Sequence, residues 1–204
     1  MKPDKIVFDS ETQKSFQEIK DRSHIWDLKL STCVTYSYKE DTYRFWTYTK
    51  QDDLCQYLSG NTVIGFSSIS FDCPLLLGGN HKLDVNGNST NGKYSWINYD
   101  ILHELKKKLY GIDDKTPINE VFDIFRKNFG VSGKGTYSLE GVVNATLNRS
   151  YVRKEDPIEL FKTKRILELF EFNLQNVRLI KQLYEFIFKY KYLLNGQFDV
   201  IRMD

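Results

Sequence analysis

Cysteine is scarce in this sequence, charge of one sign does not dominate it, and long hydrophobic runs are missing. Its three cysteines, Cys33, Cys55 and Cys73, stand far apart, with no C-x-x-C and no paired histidines. That scatter excludes a disulfide frame and a cysteine zinc site, and reads as reduced thiols. Lysine and arginine number 29 against 27 aspartates and glutamates, a net charge of +2. The balance excludes a strongly basic coat or tail protein and offers no charge argument for a nucleic-acid partner. No stretch approaches the roughly 18 uncharged apolar residues of a membrane span. The opening MKPDKIVFDSET turns acidic after one short apolar run, which is not a signal-peptide pattern. A cytoplasmic protein without membrane attachment is expected. The glycines of Gly130–Gly135 lack a GK[ST] ending, so no phosphate-cradling loop is expected either.

There is ample material for a core. The chain has 204 residues, 41% of them hydrophobic, and at this length roughly 70% of the unfolded surface can be buried. One domain over residues 1–204 is expected. Lys5–Phe8 is a short apolar run, and Leu30–Tyr38 and Tyr43–Thr49 alternate around a polar turn at Lys39-Glu40-Asp41, which predicts a three-stranded antiparallel piece. Helix Gln51–Leu58, strand Thr62–Phe66 and helix Asp72–Leu77 follow. Residues 78–95, rich in Gly and Asn, read as a surface loop. Then come strand Trp96–Tyr99 and helices Asp100–Leu109, Ile118–Phe129 and Ser138–Leu147, the last with Ser138 as its cap. One long helix, Glu159–Tyr190, has apolar residues every three or four positions. The order predicts an α/β fold with a mixed sheet flanked by helices.

Three places carry acids or amides suited to chemistry. Asp9 and Glu11 end the first strand, where alternation points both to one face and Ser10 to the other. Such a pair is either two solvated acids or half of a site for a hard divalent cation. Asp72, at a strand-to-helix junction, is either a helix cap or a third carboxylate for that site. Phe172 and Asn176 share one face of the long helix, where an asparagine among apolar neighbours needs a partner, structural or functional. The basic runs Arg149–Lys154 and Lys162–Arg165 are suited to a phosphate backbone, whereas Lys106-Lys107-Lys108 reads as a solvated helix face.

With these residues in order, the chain resembles the DEDD 3′–5′ exonucleases of the ribonuclease H-like fold, in the proofreading-type subclass with a tyrosine in its last motif. The D-x-E-T that closes the family's first strand is matched by Asp9-Ser10-Glu11-Thr12. The second motif, an Asn and then Phe-Asp, is matched by Phe71-Asp72, with Ser67 where the Asn is usual. The third, Y-x-x-x-D, falls on Phe172 to Asn176. NYDILHEL and YSLEGVVNATLN fit the intervening segments, so the resemblance spans nearly the whole chain.

The resemblance implies a ribonuclease H-like fold with a mixed five-stranded sheet, and hydrolysis of a 3′-terminal phosphodiester of DNA or RNA. It implies two ions, Mg²⁺ or Mn²⁺, held by Asp9, Glu11 and Asp72, with Asn176 and Phe172 completing the catalytic set. It also implies strand contacts by Thr12, Phe71, Arg149, Arg153 and Lys154, Phe71 stacking the terminal base. A polymerase, helicase or other replication protein is the partner class it suggests. An amide at 176 brings no charge, and a phenylalanine at 172 cannot orient water, so metal binding and turnover should be weakened. A substrate-trapping substitution would also leave an amide at 176, but three departures in two motifs favour natural decay. Two functions follow: an exonuclease of reduced activity, or an inactive module that binds nucleic acid or serves as a scaffold.

Overall fold

Alternation in the first fifty residues builds the antiparallel part of the sheet. The structure, a computed structural model, describes residues 3–84, 87–113, 115–128, 137–150 and 155–204. Strand β1 (Lys5–Thr12) pairs antiparallel with β2 (Leu30–Ser37), which pairs antiparallel with β3 (Thr42–Thr47). The expected turn joins β2 to β3, with Asp41 at a φ of 49° and its carboxylate accepting from the Tyr36 hydroxyl at 2.6 Å. Helix α1 (Gln51–Leu58) leads into β4 (Thr62–Gly65), which runs parallel to β1. A turn then enters α2 (Asp72–Leu77).

Residues 78–95 depart from the expected bare loop. They contain two short strands, β5 (Lys82–Leu83) and β6 (Ser89–Thr90), that extend the sheet, β6 pairing antiparallel with β7 (Ser95–Asp100) and β5 antiparallel with β6. Among the described residues the sheet therefore has seven strands, in the order β3-β2-β1-β4-β7-β6-β5, and not five. Two-residue strands are too short for alternation to reveal. They are held by polar groups: the Asn98 amide donates to Gly87 O at 2.6 Å and Ser89 Oγ at 2.8 Å.

The expected helices α3 (Ile101–Leu109), α4 (Ile118–Lys127) and α5 (Leu139–Leu147) follow. Ser138 caps α5, accepting from Gly141 N at 3.0 Å. The expected single helix from Glu159 is two, α6 (Pro157–Lys162) and α7 (Ile166–Tyr190). Lys164 takes a left-handed φ of 58° and Arg165 N closes back on Leu160 O at 2.9 Å, which ends α6. Arg165 then ion-pairs with Glu155 and Glu168 across the break. A hairpin of β8 (Tyr192–Leu194) and β9 (Val200–Arg202), unheralded by any pattern, closes the chain.

Each sheet face carries its own core. Ile6 and Phe8 of β1 pack with Leu54, Leu58, Cys73 and Leu75 of α1 and α2. Val7, Val34 and Ile64 pack against Leu105, Val143, Val177 and Ile180 from α3, α5 and α7. The fold is thus α/β, a mixed seven-stranded sheet with helices on both faces. Among the described residues no helix is long and apolar enough to cross a membrane.

Candidate acidic cleft

The site arises where β1 outruns its parallel neighbour. β4 pairs only with Lys5 to Val7, so the last residues of β1 have an open edge on that side. Val7 belongs to the core under α7, and the two-residue period carries Asp9 and Glu11 onto the same face. The Ser10 amide, turned to the vacated edge, donates to Asp72 Oδ1 at 3.0 Å, and the Ser10 hydroxyl donates to the same oxygen. Asp72 is the first residue of α2, only 3% exposed, and does not cap its own helix. Its carboxylate instead takes the place of the missing strand partner.

Helix α7 closes the cleft with two amides. Asn176 Nδ2 donates to Asp9 Oδ2 at 3.0 Å and to Glu11 Oε1 at 3.3 Å. Asn173 Nδ2 donates to Asp9 Oδ2 at 2.6 Å and to Asp9 O at 3.0 Å. Asn173 was not among the candidates from sequence, although it lies three residues before Asn176 on the same face. It is fully buried, and among the described residues its Oδ1 has no hydrogen-bond partner. Phe172, half-buried on α7, brings a ring without a hydroxyl.

Burial governs the acids. It pushes Asp9 up to about 6, against the opposing hydrogen bonds from Asn176 and Asn173. It pushes Asp72 well above the usual carboxylate range, and the charge of Asp9 adds to the effect. The two are one coupled pair that resists double ionisation unless a proton or a cation lies between them. The same burial and the same two charges hold the Cys33 thiol protonated. The donor chemistry of Asp9 and Asp72 suits one hard cation; with neutral amides in place of a further acid it does not suit two. Among the described residues, no group of three or more His, Cys, Asp or Glu is arranged to hold a metal ion.

The other expected contacts divide. Phe71 is half-buried against the core, its ring 6.2 Å from that of Phe16, over which Arg22 lies at 5.9 Å. Thr12 is buried, its hydroxyl donating to Lys14 O at 2.9 Å. Arg149 is exposed and lines a groove with residues 182–190 of α7, roughly 9 to 21 Å along the helix axis from Asn176. Arg153 and Lys154 lie outside the described residues. Ser67 has a left-handed φ of 65° and donates its amide to Asp100 Oδ1 at 2.8 Å. The triple lysine is not the solvated face expected: Lys107 is only 8% exposed and Lys106 is half-buried. No family model matches the chain and no curated protein matches it, so its function has to be read from this geometry.

Proposed function

We propose that the chain is an exonuclease-type domain of the ribonuclease H-like fold that holds a nucleic-acid 3′ end and hydrolyses it weakly or not at all. The observation that carries this is the amide of Asn176, at the position where the motif resemblance implies an acid, donating to both Asp9 and Glu11, with the Asn173 amide beside it donating to Asp9. The order β3-β2-β1-β4-β7 within the seven-stranded sheet is compatible with the fold that the resemblance implies, with Asp9 and Glu11 at the end of β1. A divalent cation bound by Asp9 and Asp72 would neutralise their repulsion and polarise a phosphate oxygen. Asn176 and Asn173 orient Asp9 with neutral donors, which lowers the pull of the cleft on a second ion. Phe172 shapes the space for water without orienting it, and Phe71 with Phe16 offers ring faces to the last base.

The test uses 3′-labelled single strands of DNA and of RNA with Mg²⁺ or Mn²⁺. The native protein should bind a strand and release nucleotides slowly or not at all. Joint replacement Phe172→Tyr and Asn176→Asp should raise cleavage by about a hundredfold or more, the scale of a positioned acid–base contribution. Asp9→Ala should abolish whatever cleavage exists. Native turnover at about 1 s⁻¹ or faster, the range of ordinary enzymes, would refute the weakened site. Absence of both strand binding and a gain of cleavage in the double variant would refute the exonuclease-type function.

A further inference from the structure

The turn that delivers Asp72 has a second role to offer. Residues 67–70 form one wall of a pocket of about 150 Å³, whose other walls are the first turns of α3 and the end of α4. Lys106 lines it with its Nζ 5.5 Å from the centre of the Phe125 ring. Among the described residues no carboxylate forms an ion pair with Lys106; burial works against its charge and only Asp100 favours it. Asp100 is itself committed, accepting from the amides of Ser67, Ile69, Leu102 and His103 at 2.8 to 3.2 Å. A half-buried ammonium without a counter-ion is costly.

The remaining groups are donors. The His103 ring is edge-on to Phe122 and Phe125. Burial and the neighbouring lysines lower its pKa to about 4, so at neutral pH it offers one N–H and no charge. The hydroxyls of Ser67 and Ser70 lie 3.0 Å apart, and Ser70 also reaches Ser67 O at 3.1 Å, which leaves one hydroxyl hydrogen able to turn to a ligand. Arg126 stands at the rim, paired with Asp123 at 2.8 Å. The volume is about half the roughly 300 Å³ at which pockets begin to enclose drug-sized ligands. It suits a single tetrahedral oxyanion and not a whole nucleoside.

We propose that this pocket binds a phosphate group through Lys106, His103 and the Ser67–Ser70 hydroxyls. The phosphate belongs either to a strand whose end lies in the acidic cleft, in which case the site rests on the function proposed above, or to a free phosphorylated small molecule. Titrating the ¹⁵N-labelled protein with inorganic phosphate tests the site itself. Saturable shifts at the amides of Ser67, Ser70, His103 and Lys106 are expected. Lys106→Gln should weaken them about tenfold, the scale of one charge-assisted hydrogen bond. Ser70→Ala, at an exposed position, gives a second and milder loss should Lys106→Gln fail to fold. Asp9→Asn should leave phosphate binding unchanged, so failure of the cleft and failure of the pocket are told apart. A single-stranded oligonucleotide that displaces inorganic phosphate identifies the strand as its source, and one that does not identifies a small molecule; both outcomes support the pocket. Absence of saturable shifts, or shifts indifferent to both variants, overturns it.

Discussion

Asp9 is held in a state that ordinary carboxylates avoid. Its folded pKa is raised from 3.8 to about 6, so the folded protein binds the proton more tightly than the unfolded chain does. The stability linked to Asp9 is therefore greatest below the unfolded pKa and is lost as pH rises through the folded one. At neutral pH the cost is up to about 3 kcal/mol, and Asp72 adds in the same direction. Urea melts should show stability increasing as pH falls from about 7 toward about 5. Asp9→Asn, which can still accept from both amides, should stabilise the protein at neutral pH and flatten that dependence. An unchanged pH profile in this variant would refute the assignment. Of the cleft, the D-x-E spacing and the shared face were legible in sequence because strand alternation is local. The Asn173 contact was not, since it joins positions 164 residues apart.

The elements that position the cleft depend on one close approach. A Cβ added at Gly65 would lie 2.5 Å from Ser68 Cβ and 3.3 Å from the Phe8 ring. Ser68 Cβ is fixed to the backbone and cannot rotate away. Gly65→Ala should therefore cost about 2 kcal/mol or more and shift the turn that carries Asp72, as measured by chemical denaturation and by loss of strand binding. Unchanged stability would show that the turn yields freely. Element positions in the first two-thirds of the chain were largely legible, because polar turns and apolar periods both mark them. The break between α6 and α7 was not. It is made by a left-handed lysine with neither Gly nor Pro to announce it, and the polar run Lys162–Arg165 at the break reads equally well as a solvated face of a continuous helix.

At the scale of the whole molecule, the last segment completes the core under α7. Leu193 is fully buried and Ile201 nearly so, both in the cluster with Val143, Ile180 and Leu183. Thr146 ties the hairpin to α5, its hydroxyl donating to Leu194 O at 3.1 Å and accepting from Leu194 N at 3.0 Å. Deleting residues 191–204 should lower stability by about 3 kcal/mol or more, from the exposure of two large aliphatic side chains and their partners, in an equilibrium urea melt. A loss below about 1 kcal/mol would mean the hairpin only rests on the surface. By itself the sequence determined the α/β class, most helices and central strands, and the shared face of Asp9 and Glu11, because these follow from periods of two and of about 3.6 residues along the chain. Only the tertiary structure decided how many strands join the sheet, which group replaces β4 beside Ser10, and that amides of α7 donate to the acids. Those outcomes depend on hydrogen bonds between segments distant in sequence, and no local period encodes a partner.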